Sequence, residues 1–160
     1  VLDFLLSDTA AGIGSNAIYF DLAAQERIVV LTNEPTSITD AYALIKVLHT
    51  RYQQNNFHIL PNLVTGPKEA KNVFSLLSTV ADKHLSQVSL HLIGYVPRDE
   101  AVVSAVRAQK PFLITDPDSE ASQRIMDIAK RLAANPPDEF SSGGLVFFLN
   151  RLSSFGGAVD

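Results

Sequence analysis

The sequence predicts an α/β fold, a mostly parallel sheet with helices on both faces, and three observations point there. Apolar runs at 27–32, 57–64 and 88–96, rich in β-branched residues at 27–32, alternate with stretches whose apolar residues recur every three or four positions. That alternation gives roughly five strands and five helices, the pattern of strands joined by crossover helices. The first apolar run, Asp3 to Ser7, is too short for an ordinary helix and leads into Asp8, Thr9, Ala10, Ala11 and Gly12. A buried parallel strand that delivers an acid to its carboxyl end reads this way, and ligands bind outside those ends.

The elements follow in chain order. Ser15 to Gln25 is a short helix with Ser15 able to cap it and Ile18, Tyr19, Leu22 and Ala23 on one face. Arg27 to Thr32 is a strand whose β-branched content suits a sheet covered on both faces. Pro35 precedes a helix that Thr36 or Ser37 can cap, with Ile38, Ala41, Leu44, Ile45 and Leu48 as its buried stripe to about Arg51. Phe57 to Val64 is the next strand. Pro61 lacks a donor, so it predicts an interrupted ladder or a strand end near Leu60.

Pro67 stands at the first position of a helix running to about His84, with Ala70, Val73, Phe74, Leu77, Val80 and Ala81 inward. Val88 to Val96 contains a fourth strand that Pro97 stops. Asp99 can cap a helix from Glu100 to about Gln109. Lys110 to Ile114 reads as a short last strand or extended segment. Asp118 or Ser119 starts a final long helix with Ile125, Ile128, Ala129 and Leu132 inward, and Asn135-Pro136-Pro137 ends it.

Composition narrows the class. At 160 residues and 46% apolar content the chain is one globular domain by size. Its formal net charge of −4 argues against broad nucleic-acid binding. There is no cysteine, hence no disulfide framework or thiolate chemistry, and the four histidines lack metal-ligand spacing. No signal peptide opens the chain and no 18-residue apolar run occurs, so a cytoplasmic origin is expected.

The stretch Asp8-Thr9-Ala10-Ala11-Gly12-Ile13 resembles the Walker B and switch II segment of the MinD/ParA-like P-loop ATPases. The segment from Gln25 to Lys46, with Asn33-Glu34-Pro35-Thr36 after its strand, is similar to the flagellar-number regulator branch of that family, called FlhG or FleN. The run Gly94-Tyr95-Val96-Pro97-Arg98-Asp99 looks like the family's Gly-x-Ile-Pro-x-Asp turn. The resemblance covers residues 3 to about 134. One part is missing: no Gly-Lys-Thr or Gly-Lys-Ser occurs in the 160 residues, so no phosphate cradle of the usual kind is encoded here.

The resemblance implies residues 1–134 as the carboxyl-terminal part of a MinD-like ATPase domain, an incomplete P-loop NTPase fold. It implies a parent that is a Mg-ATP-dependent homodimerising switch regulating flagellar number or placement. Asp8 would support Mg²⁺ or its water shell, and Thr9, Ala10, Ala11 and Gly12 would form the switch. Asn62 would read the adenine edge, since an amide offers one donor and one acceptor. Pro97 and Asp99 would frame the base, and Glu34 and Pro35 would lie near the dimer face. Each has a plainer reading: Asn62 bonding its own backbone, Glu34 a solvated acid, Asp99 a helix cap.

ATP and Mg²⁺ are expected in the parent, with none bound tightly by this chain, which should not hydrolyse ATP. The implied partners are flagellar regulatory or assembly proteins. A non-enzymatic interaction scaffold on the same fold is the alternative. The family places its P-loop strand between the Asp8 strand and the Ile28–Thr32 strand, so without it those two strands are expected to pair directly; exchange of strands between chains is the alternative.

Residues 135–144 read as a linker, 145–152 as a short amphipathic helix, and 153–160 as a tail. Leu145, Phe148, Leu149 and Leu152 fall on one helical face, which suits docking on the protein itself or peripheral contact at the inner face of the cell membrane. Arg151 is the only basic residue there, which favours docking.

Overall fold

The computed structural model describes residues 4–9 and 14–134. They form an open α/β fold, a parallel sheet flanked by helices. The order along the chain is α1 (Ser15–Ala23), β1 (Ile28–Leu31), α2 (Pro35–Tyr52), β2 (Asn56–Val64), α3 (Pro67–His84), β3 (Ser89–Leu92), β4 (Val96–Pro97), α4 (Glu100–Arg107), α5 (Phe112–Thr115) and α6 (Glu120–Ala134). β2 is central. β1 pairs with it on one side, and β3 then β4 pair with successive parts of it on the other.

In-register partners share a face of the sheet. Val29 lies beside Ile59, and Ile59 beside Leu92. This face meets α1, α2 and α3 in the core, where Leu22, Leu31, Ile45, Leu48, Phe57, Ile59, Val73 and Leu77 are buried. The 3.6-residue period of α2 and α3 aligns Ala41, Ile45 and Leu48 on one helix, and Ala70, Val73, Leu77 and Ala81 on the other. The opposite face carries Ile28, His58 and His91 side by side. His58 Nε2 lies 2.8 Å from Glu26 Oε2.

Several expectations are corrected. Residues 4–9 form no strand, and Phe4, Leu5 and Leu6 are exposed, Leu6 at 88%. They do not pair with β1, whose outer edge has no partner strand among the described residues. The physical reason lies in β1 itself. Only one of its faces is packed, with Val29 and Leu31 buried while Ile28 and Val30 stay exposed, so a strand added beside it would bury at most every second side chain. The same exposure, 55% at Val30, corrects the reading of 27–32 as covered on both faces.

Lys110 to Ile114 is not a strand. Phe112–Thr115 is one turn of helix, with Ile114 N–H and Thr115 N–H both bonding back to Pro111 C=O. The strand expected over 88–96 is split by Ile93, Gly94 and Tyr95. Strand β2 runs through Pro61, which is buried and in register with Leu31. The interruption falls on the other side, where the ladder with β3 ends at Ile59 and resumes with β4 at Asn62. Proline is tolerated where its missing N–H faces that gap.

Two caps also differ. Glu34, not Thr36 or Ser37, is the N-cap of α2, and Ser37 Oγ instead accepts from Thr32 N–H at 3.0 Å. Gly14 is the N-cap of α1, so Ser15 is its first helical residue. On α3 Val80 is exposed, and on α6 Ala129 is exposed while Ala121, Ser122 and Ile128 are buried.

Candidate functional site

In a parallel sheet every strand points its carboxyl end the same way, and the loops leaving β1, β2 and β4 gather there. These loops are 32–34, 65–66 and 98–99, each followed by the N-terminus of α2, α3 or α4. Backbone N–H groups at three helix starts therefore line one edge, a setting suited to anions.

Asn62 sits at this edge beside Val96, and Val64 beside Pro97. The structure thus brings together the residues expected to read and frame a base. Asn62 Oδ1 accepts from Leu63 N–H at 2.9 Å. That bond is the plainer role of Asn62, although its NH₂ group donates to no described residue and an oxygen lone pair remains. Leu63 has φ 56°, a left-handed conformation that a branched residue holds only when its surroundings demand it. The ladder between β2 and β4 shifts register at this point.

Asp99 divides its carboxylate between two helices. Oδ1 accepts from Ala101 N–H at 2.9 Å, capping α4, and Oδ2 accepts from Ala121 N–H at 3.1 Å in the first turn of α6. The Ala101 and then the Ala121 backbone bonds hold its carboxyl below the ordinary carboxylate range. Its observed work is structural, fixing the turn after Pro97.

Glu69 was not singled out from the sequence. Its Oε2 accepts from Thr65 N–H at 2.6 Å and from Thr65 Oγ1 at 2.7 Å. Its Oε1 accepts from Asn33 Nδ2 at 2.6 Å. The Thr65 backbone and hydroxyl bonds come first among the causes that lower its carboxyl below the ordinary range, joined by Asn33 and the Arg98 charge. The signal that points to it is its place, three residues after Gly66, where an acid in the first helical turn can reach back to the chain entering the helix, here Thr65.

The other expected residues are scattered. Glu34 and Pro35 are exposed at the start of α2, and Asp8 is exposed outside the sheet. Ala10, Ala11 and Gly12 lie outside the described residues, as do Leu145, Phe148, Leu149 and Leu152 with the segments 135–144, 145–152 and 153–160. Among the described residues no group of three His, Cys, Asp or Glu side chains is arranged to hold a metal ion. Among the same residues no helix is long and apolar enough to cross a membrane.

Comparison with known proteins shows what the chain is similar to. No family model matches the chain. It is 42% identical over 151 residues to the antiactivator FleN of Pseudomonas aeruginosa, covering 94% of this chain and 54% of that protein. It is 31% identical over 157 residues to the flagellum site-determining protein YlxH of Helicobacter pylori, covering 96% of this chain and 53% of that protein. The chain thus spans about half the length of the curated relatives it matches. Among solved structures, the MinD cell division protein of Aquifex aeolicus shares the fold with a TM-score of 0.50 at 22% identity, over 71% of this chain and 46% of that one.

Proposed function

We propose, for a chain of the MinD/ParA-like P-loop ATPase family closely related to the FleN/FlhG flagellar regulators, that it supplies the base-binding half of a Mg-ATP-dependent dimerising switch. The observation that carries this reading is the pairing of Asn62 with Val96 and of Val64 with Pro97 at the carboxyl edge of a parallel sheet, in a chain 42% identical to FleN. An amide and a proline turn on adjacent strand ends offer a purine one hydrogen-bonding edge and one flat wall.

In this reading Asn62 recognises the adenine edge, Asp99 holds the framing turn rigid, and Glu34 with Pro35 faces the second copy. Asp8 and the segment from Thr9 to Gly12 serve Mg²⁺ and the switch once a phosphate site is present. The 160 residues contain no Gly-Lys-Thr or Gly-Lys-Ser, so the phosphates find no lysine here. The chain by itself therefore lacks the main electrostatic term of phosphoryl-group binding and transfer. The output of the switch is control of flagellar number or placement, through flagellar regulatory or assembly proteins.

Calorimetric titration with Mg-ATP tests the division of labour, using residues 1–160 and the product of the complete natural reading frame. The complete product should bind Mg-ATP and shift to a dimer in sedimentation velocity, and residues 1–160 should give no saturable heat. A micromolar dissociation constant for residues 1–160 would overturn the claim that the phosphate half lies elsewhere. Unaltered Mg-ATP affinity after Asn62→Ala in the complete product would remove the base-reading role.

A further inference from the structure

Bracing the entry to α3 uses only one of the two oxygens of Glu69. Oε2 accepts from both the Thr65 N–H and the Thr65 hydroxyl, tying the first turn of α3 to the residue that directly precedes the Gly66 N-cap. The bond from Oε1 to Asn33 is of another kind. It spans 36 residues in sequence and reaches the loop that leaves a different strand. Asn33 follows β1 and Thr65 follows β2, so one side chain ties together two loops at the carboxyl edge of the sheet, and the space above that edge is called the crevice.

Further bonds tie each loop to its surroundings. In the first, Thr32 N–H donates to Ser37 Oγ at 3.0 Å and Ile38 N–H to Glu34 C=O at 3.1 Å. In the second, Arg98 N–H donates to Val64 C=O at 2.9 Å, joining the Pro97 turn to the end of β2. Thr65 is thus joined through its neighbour Val64 to the Pro97 turn and to the Asn62 end of β2. The Asn33 amide is the side-chain bridge from there to Glu34 and Pro35.

We propose that Glu69 is a positioning residue that locks the loop after β1 to the loop after β2, so that the Asn62 end and the Glu34–Pro35 end of the crevice move as one unit. What the crevice holds rests on the nucleotide-switch reading above; the lock does not. In that switch it would couple occupancy of the base end to the surface offered to a second copy.

Amide hydrogen exchange on residues 1–160 tests the lock without any nucleotide. The variants are Asn33→Ala, Asn33→Asp, Glu69→Ala, Glu69→Gln and the double variant Asn33→Asp/Glu69→Gln. Losing one exposed hydrogen bond at either end should speed local opening at the far end about three- to tenfold. Thus Asn33→Ala should speed exchange at Thr65, and Glu69→Ala should speed it at Thr32 and Ile38. Asn33→Asp places two carboxylates together and should act at least as strongly. In the double variant the donor and acceptor trade places: the amide introduced at position 69 can donate to the carboxylate introduced at position 33. Protection should then return to within about twofold of the parent.

A residue that only braces the entry to α3 would behave differently. Asn33→Ala would leave Thr65 protected, Glu69→Ala would affect only Thr65 and α3, and the double variant would show no rescue. Any of these results overturns the lock. Because Asn33 is exposed, its variants keep the test readable should Glu69→Ala unfold the chain. Coupled exchange together with a complete gene product that binds no Mg-ATP would refute the nucleotide reading and leave the lock standing. Mg-ATP binding without coupled exchange would do the reverse.

Discussion

A Cβ atom built on Gly94 would lie 2.7 Å from Ile128 Cγ1 and 2.9 Å from its Cδ1. The break between β3 and β4 is the seat of α6, and the seat exists because residue 94 has no side chain. Gly94 also has φ 153°, where a side chain is strained whatever the space around it. Gly94→Ala should cost about 1–3 kcal/mol by overpacking, read as a lower urea midpoint. Ile128→Ala alone leaves a cavity, yet in the Gly94→Ala background it should cost less than in the parent. Strict additivity of the two would show that the contact is not what keeps residue 94 a glycine.

Asp99 caps α4 and braces α6 together, so its removal should be felt in both. Asp99→Ala should lose about 1–2 kcal/mol at neutral pH. Its carboxyl is held below the ordinary range in the folded chain, which sets the sign. The stabilisation is fully present above the unfolded value, roughly pH 3.9, and fades as pH falls through the depressed folded value. The gap between parent and Asp99→Ala in urea melts should therefore narrow in acid; a gap constant down to roughly pH 2.5 would contradict the charged cap.

Asp21 has the opposite sign. Burial pushes its carboxyl up, the Arg27 charge only partly opposes that, and Oδ2 is buried without a hydrogen-bond partner. The ionised form is therefore held at a cost that appears as pH rises above the unfolded value, roughly 3.9. Asp21→Asn should raise the melting temperature at neutral pH, with the gain shrinking as pH is lowered through the carboxylate range. A lower melting temperature at neutral pH would show that the Arg27 attraction outweighs desolvation.

Val29 and Val30 are adjacent and chemically identical, yet one is 6% exposed and the other 55%. Val→Thr replaces a methyl group by a hydroxyl of similar size. At Val29 the hydroxyl meets the core, and the cost should be about 1–3 kcal/mol. At Val30 it meets solvent, and the change should stay within about 0.5 kcal/mol. Equal losses in chemical denaturation would mean that the outer face of β1 is covered in solution.

The helices were legible where period and punctuation agreed. Pro67 with its apolar residues at three- and four-residue spacing gave α3 to the residue, and Asp99 gave the start of α4. Their signals are local. The outer face of β1 was not legible, because Ile-Val-Val-Leu reads the same whether one face or both are covered. The stretch from Asp3 to Ser7 failed for a related reason: strand-like letters need a neighbouring strand to bond with, and none is present beside β1 among the described residues. At the candidate site, Asn62 and Pro97 could be marked from the family resemblance. Glu69 could not, since its contact with Asn33 joins loops that only the sheet brings together.

Strand β2 pairs with β1 across α2 and with β3 across α3, so two consecutive units share one strand. Each pairing joins strands that are neighbours in the chain, yet each must close a loop through a whole helix, as parallel pairing requires. Neither unit can complete its ladder before β2 is extended, which makes that strand the natural nucleus. Ile59→Val, at the fully buried residue between Val29 and Leu92, should slow refolding in stopped-flow measurements. Ile128→Val, on α6 and away from β2, should mainly speed unfolding; equal partitioning at the two sites would argue against a nucleus centred on β2. A chain organised in this way acquires its crevice late, because the turn at Pro97 can close only on a strand that has already formed.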